Sequence, residues 1–277
     1  MKIKLIATLL GLAIAGGANA AIDQSATGNG ELFFQLWDTN GTADKADDRN
    51  YVRDLGTLSN GAVVGGKVTN WASTATTPVL VGDKLVPQTG GIFSLGADAN
   101  LTSFLAGTSN AAGLRWNITA TDSAGTDRFL TTSSGITAGQ LPAYAVFRTF
   151  SLQTDTFLAN TTAIGTNESI VLNGAGAGIS VFGGNVGGKA TFTTDGAVGD
   201  QLGFYLLSEK LASGSAATKA DLNQYKDAAG TALTWQFKND GSLTYAVAAV
   251  PEPESYALFL AGLGMIGAIA RRRRLGK

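Results

Sequence analysis

The chain has 277 residues with no cysteine and no histidine, so it can build no disulfide, thiolate nucleophile, Cys/His zinc site, histidine-ligated haem or Ser-His-Asp triad. Apolar residues make up 44%, charged residues 15%, and 37 positions are glycine, which describes a folded, weakly charged, turn-rich chain. The net charge of −1 hides a gradient: residues 21–250 hold 19 acidic against 13 basic side chains, and a body of that sign has no general attraction for nucleic acid.

Lys2 and Lys4 precede a charge-free, largely apolar run from Leu5 to Ala15, and Ala18 and Ala20 supply the small residues that signal peptidase reads at −3 and −1. Residues 1–20 are therefore expected to be a signal-peptide helix, cut between Ala20 and Ala21. A permanent anchor is disfavoured, because the run is well short of the ~20 residues that span a bilayer. Export normally permits disulfides, so a chain without cysteine has to be held together by its core.

Residues 21–249 read as one β-rich extracellular body of short strands separated by Gly/Asn/Asp/Ser/Thr turns. Glu31 to Trp37 is the first expected strand. It runs into the only dense acidic cluster, where Asp38, Asn40, Asp44, Asp47 and Asp48 could offer oxygens to calcium. Glycine falls at the fourth position of this run and no Glu closes it at the twelfth, so it is no EF-hand loop, and a solvated hairpin loop is the plainer reading. No other cofactor is expected. Trp71, in the turn-rich stretch Thr69 to Ser73, is the tryptophan expected to be exposed and able to stack on a sugar, whereas Trp116 and Trp235 alternate with apolar neighbours and read as core.

The clearest alternation is Leu114 to Thr121, one buried and one wet face at period two. Tyr144 to Leu152, Leu202 to Ser208 and Thr234 to Phe237 are read as further strands. The glycines between Asn173 and Lys189 read as strand-flanking turns, and Gly174 to Gly178 lacks the spacing of a nucleotide-binding turn. Lys210 to Ala229 holds the one helix expected within the body, through Ala220 to Ala228, or else a long loop between strands. Phe237 to Tyr245 reads as a hairpin turning on Asn239-Asp240-Gly241. Such spacing predicts an all-β class, an antiparallel β-sandwich or jelly-roll-like body. The body's glutamates are Glu31, Glu168 and Glu209, and nothing in the sequence sets two carboxylates across a cleft, so the chain is not expected to be an enzyme.

Residues 250–277 form a second tag. Pro251-Glu252-Pro253 is followed by a charge-free stretch from Tyr256 to Ala270, expected to be a short transmembrane helix, and by Arg271, Arg272, Arg273 and Arg274, which mark a cytoplasmic end. In that order and at the terminus, these elements resemble the PEP-CTERM sorting signal of exosortase-processed proteins in Gram-negative bacteria. The resemblance implies export across the inner membrane, a transient membrane-bound stage, recognition by exosortase and passage to the cell surface or exopolysaccharide matrix. Gly30 to Asp38, Tyr51 to Gly56 and the closing Tyr245-Ala246-Val247 are also similar to segments of one subset of these proteins, which implies a shared β fold and carries over no functional residue. The expected role is a non-enzymatic surface or biofilm component, with a carbohydrate-binding module second and a secreted hydrolase third. A lightly charged edge strand also leaves self-association open.

Overall fold

The computed structural model describes residues 22, 30–59, 63–64, 67–68, 79–81, 86–88, 92–108, 110–123, 127–162, 169–177, 186, 189–210, 218–226 and 230–247. The expected signal-peptide and transmembrane helices lie outside them, as do Ala18, Ala20, Ala21, Trp71, the Pro-Glu-Pro stretch and the arginine cluster. Among the described residues no helix is long and apolar enough to cross a membrane.

In chain order the elements are β1 (Leu32–Asp38), β2 (Arg49–Ser59), β3 (Val63–Val64), β4 (Lys67–Val68), β5 (Val79–Val81), β6 (Val86–Gln88), β7 (Ile92–Leu95), α1 (Ala99–Ala106), β8 (Arg115–Asp122), β9 (Arg128–Ser133), α2 (Tyr144–Thr162), β10 (Ser169–Asn173), β11 (Gly196–Ala197), β12 (Gln201–Ser208), β13 (Asp221–Gln224), β14 (Leu233–Phe237) and β15 (Leu243–Val247). Among the described residues thirteen strands make one sheet in the order β10-β2-β1-β8-β9-β12-β14-β15-β7-β6, with β11 on β8, β13 on β12 and β5 on β2; β3 and β4 pair separately. Every pairing in the main sheet is antiparallel.

The sheet curls until its own inner face becomes the core. Phe34 on β1 and Phe237 on β14 are four strands apart in the order, yet their ring centroids lie 5.1 Å apart. Alternation places Leu32, Phe34 and Leu36 of β1, Trp116 and Ile118 of β8, Phe204 of β12, Trp235 of β14 and Tyr245 of β15 in this interior. Trp235 and Tyr245 stack at 4.5 Å with Phe204 edge-on to both, a geometry that adds ~0.5–1.5 kcal/mol per pair beyond area burial. Leu101 and Phe104 of α1 join the same cluster.

The outer face is covered as well, by α2. Phe157 stacks on Phe33 of β1 and Phe150 packs on Phe129 of β9, in a second cluster that also takes in Ile22. Strands buried on both faces need a partner for every polar group. Asn50, Gln35, Asn117 and Thr194 supply one another in a buried chain: Asn50 Nδ2 donates to Gln35 Oε1, Gln35 Nε2 to Asn117 Oδ1 and Asn117 Nδ2 to Thr194 Oγ1.

The mostly β, antiparallel expectation holds, and the strands expected at 31–37, 114–121, 202–208 and 234–237 are present within a residue or so, as is the closing hairpin with Gly241 at φ +79°. A sandwich of two sheets is not what the strand order describes. Three local expectations are corrected. The face of β8 expected to be wet is buried as well, with Asn117, Thr119 and Thr121 all inside, because α2 packs against this strand. Residues 144–152 begin a 19-residue helix, not a strand. The residues buried along it, Phe150, Ser151, Thr154, Phe157 and Leu158, repeat at helical spacing. Thr154 and Thr156 hydroxyls donate to the carbonyls of Phe150 and Leu152 one turn earlier. Within 220–228, where a helix was the expectation, Asp221–Gln224 is instead a strand, because β12 runs on past the end of β14 and takes a second partner there.

Candidate functional site

The acidic run is a hairpin loop between β1 and β2 whose side chains bond chiefly to the loop itself. Asp38 Oδ1 accepts the Asn40 N–H at 2.7 Å, which lets Asn40 and Gly41 turn through φ +54° and +71°. Asp47 accepts from Asn40 Nδ2 and the Thr42 hydroxyl, and Asp44 Oδ1 accepts the Ala46 N–H. Asp38 and Asp48 are buried at the base, and residues 40–46 are exposed. Burial, then the charge of Asp47, pushes the Asp48 carboxyl up. Gly174, at φ +62°, donates its N–H to the Asp48 carbonyl, so the glycine-rich turn after β10 buttresses this loop. Among the described residues no three His, Cys, Asp or Glu side chains are grouped to hold a metal ion.

Of the tryptophans, Trp37, Trp116 and Trp235 are 4%, 0% and 0% exposed and so are core, not sugar platforms. The Trp116 indole N–H donates to the Ala197 carbonyl at 2.8 Å.

Two arrangements appear that no sequence signal announced. The first is a carboxylate pair. Asp127 and Glu209, 82 positions apart, are brought side by side by the β9–β12 pairing, the Glu209 N–H donating to the Asp127 carbonyl and the Asp127 N–H to Glu209 Oε2. Both are buried, and Glu209 Oε1 has no hydrogen-bond partner among the described residues. Burial, reinforced by the charge of Glu209, pushes Asp127 up to about 6, against a weaker pull from Arg148 of α2. Asp122 close by is already engaged by Arg128.

The second is a groove of about 670 Å³ beside β13, lined by Ile136, Thr137, Tyr205, Asn223, Gln224 and Lys226 among others. Gln224 Nε2 donates to the Tyr205 hydroxyl at 3.4 Å. The ring of Tyr205 folds back over Gly203, where a Cβ would come within 2.8 Å of the hydroxyl. A smaller cavity of about 200 Å³ opens on the core between Leu105, Leu114, Val198 and Phe237. Amide and hydroxyl groups beside an aromatic ring suit sugar hydroxyls and C–H faces. The register of β12 with β13 makes this groove, and single-strand alternation carries no trace of it.

Comparison with known proteins places one signal. Residues 249–274 match the family model described as the PEP-CTERM protein-sorting motif. No curated protein and no solved structure matches the chain.

Proposed function

We propose that this chain, a PEP-CTERM exosortase substrate sorted to the cell surface or extracellular space, serves there through its β body as a non-enzymatic structural component of the surface or exopolysaccharide matrix of a Gram-negative bacterium. The observation that carries the reading is the sorting motif at 249–274 behind a doubly packed, weakly charged β body. Signal peptidase and exosortase are its processing partners, and the membrane holds it only while the tail is attached. Mass spectrometry of the mature protein tests the reading: an N-terminus at Ala21 and a C-terminus upstream of Arg271 are expected, and a surface protein that still carries Arg271 to Arg274 overturns it. Deleting the gene should weaken matrix cohesion without loss of any polymer-cleaving activity.

A second reading, a carbohydrate-binding module, is favoured by the groove beside β13. Thr137, Asn223 and Gln224 offer both donors and acceptors, and Lys226 adds a cation suited to an acidic sugar. Isothermal titration of the body with the organism's own exopolysaccharide, compared with Gln224→Ala and Lys226→Ala, decides it: binding unaffected by both changes removes the groove from consideration. Trp71 remains the alternative stacking residue, read by Trp71→Ala in the same titration. Calcium, if bound in the Asp38–Asp48 loop, raises the unfolding midpoint of the body in a concentration-dependent way.

A further inference from the structure

The first and last strands of the body meet the same end of the sheet. Between β1 and β15 the sheet order runs through β8, β9, β12 and β14, five antiparallel pairings, so β15 points opposite to β1. The start of β1 and the end of β15 therefore lie toward one pole. The registers add neighbours to it: Gly30 donates its N–H to the Thr121 carbonyl, Asp122 pairs with Arg128, and Arg128 pairs with Ser208, so the end of β8, the start of β9 and Glu209-Lys210 lie toward this pole too. Asp38 pairs with Arg49 and Phe237 with Leu243, which sends the acidic loop and the Lys238–Ser242 turn to the opposite pole.

We infer that, while the tail is intact, the pole where β1 begins and β15 ends faces the lipid surface, and that the pole bearing the Asp38–Asp48 loop and the Lys238–Ser242 turn is presented outward. This rests on the reading of residues 256–270 as a membrane segment. The chain length decides the geometry. Eight residues separate Val247 from Tyr256, and fully extended they reach at most ~28 Å. A compact body of this size is ~45 Å across. The tether is thus too short for the body to invert and bring its far pole to the lipid. Two ends at one pole also suit a chain whose basic tags, Lys2 and Lys4 at one terminus and Arg271 to Arg274 at the other, stay on the same side of the membrane during export. The outward pole carries the exposed loop residues 40–46 and Asp240.

The absence of cysteine makes the test direct. Single variants Lys210→Cys at the near pole and Lys238→Cys at the far pole, both at exposed sites, are labelled with a fluorophore in the chain from residue 21 to 277. The labelled chains are inserted into phosphatidylethanolamine–phosphatidylglycerol vesicles that carry a nitroxide on the headgroup. Over a ~45 Å body the near label should be clearly quenched and the far one left close to its unquenched intensity, because nitroxide quenching falls off steeply with distance. Equal or reversed quenching in protein that floats with the vesicles overturns the orientation and leaves the tail reading standing. Protein that fails to float overturns the tail reading, and the orientation with it. A chain ending at residue 249 serves as the unanchored control.

Discussion

Replacing Asp127 with asparagine should change how stability depends on pH, and the direction follows from its surroundings. Burial and the neighbouring Glu209 hold its folded pKa at about 6, against 3.8 for the free side chain. A carboxyl raised in this way binds its proton more tightly when folded. Its contribution to stability is therefore complete below about pH 3.8 and is lost as pH rises through about 6. A shift of roughly two units at ~1.4 kcal/mol each sets a ceiling near 3 kcal/mol, and solvent screening should bring this to ~1–2 kcal/mol. Urea unfolding of the wild-type body and Asp127→Asn, taken in parallel from about pH 4 to pH 7, isolates the effect of the Asp127–Glu209 pair, because groups that do not interact with the pair cancel in the difference. Wild type should lose ~1–2 kcal/mol relative to the variant across that interval. A difference that stays constant, or one that moves in favour of wild type as pH rises, would refute the account of the buried pair.

Phe157→Ala should destabilise the body by ~3–5 kcal/mol, because it strips α2 of its stacking partner on Phe33; Leu152→Ala on the same helix, at 65% exposure, should stay within ~0.5 kcal/mol by thermal melting. Asn117→Ala should cost ~1–3 kcal/mol in denaturant titration, since it leaves Gln35 Nε2 and the Thr194 hydroxyl short of a buried partner. Asp98 gives the opposite pH signature to Asp127. Burial works to raise its pKa but is outweighed by bonds from the Leu101 N–H and the Tyr51 hydroxyl, so its contribution is present above about pH 4 and lost on acidification; Asp98→Ala should blunt that loss and cost ~1–2 kcal/mol as a lost helix cap. If the groove beside β13 takes a glycan, Gly203→Ala should weaken binding several-fold by displacing the Tyr205 ring, and an unchanged titration would detach Tyr205 from that site.

How far local pattern reaches is plain from particular elements. Residues 114–121 read correctly as a strand because Leu, Trp, Ile and Ala fall on every second position of an inward face. Residues 144–152 misled because Tyr, Val, Phe and Thr favour strands by propensity, while the helical repeat of buried positions becomes visible only over 150–158, beyond the window that suggested a strand. Asp221–Gln224 has no strand signal of its own and becomes one because the exposed edge of β12 accepts its hydrogen bonds.

Where the protein is sent is written in the linear chain, since a sorting tag is read as a string with its proline pair, apolar run and arginines in fixed order. The β class and the inward tryptophans are legible there too, through period-two alternation. Strand pairing in three dimensions, and nothing short of it, makes one sheet curl on itself under a helix, sets Asp127 against Glu209, opens a polar groove beside β13 and brings both ends of the body to one pole. Each of these depends on which strands pair and in what register, and pairing between residues far apart in the chain leaves no periodicity in either partner.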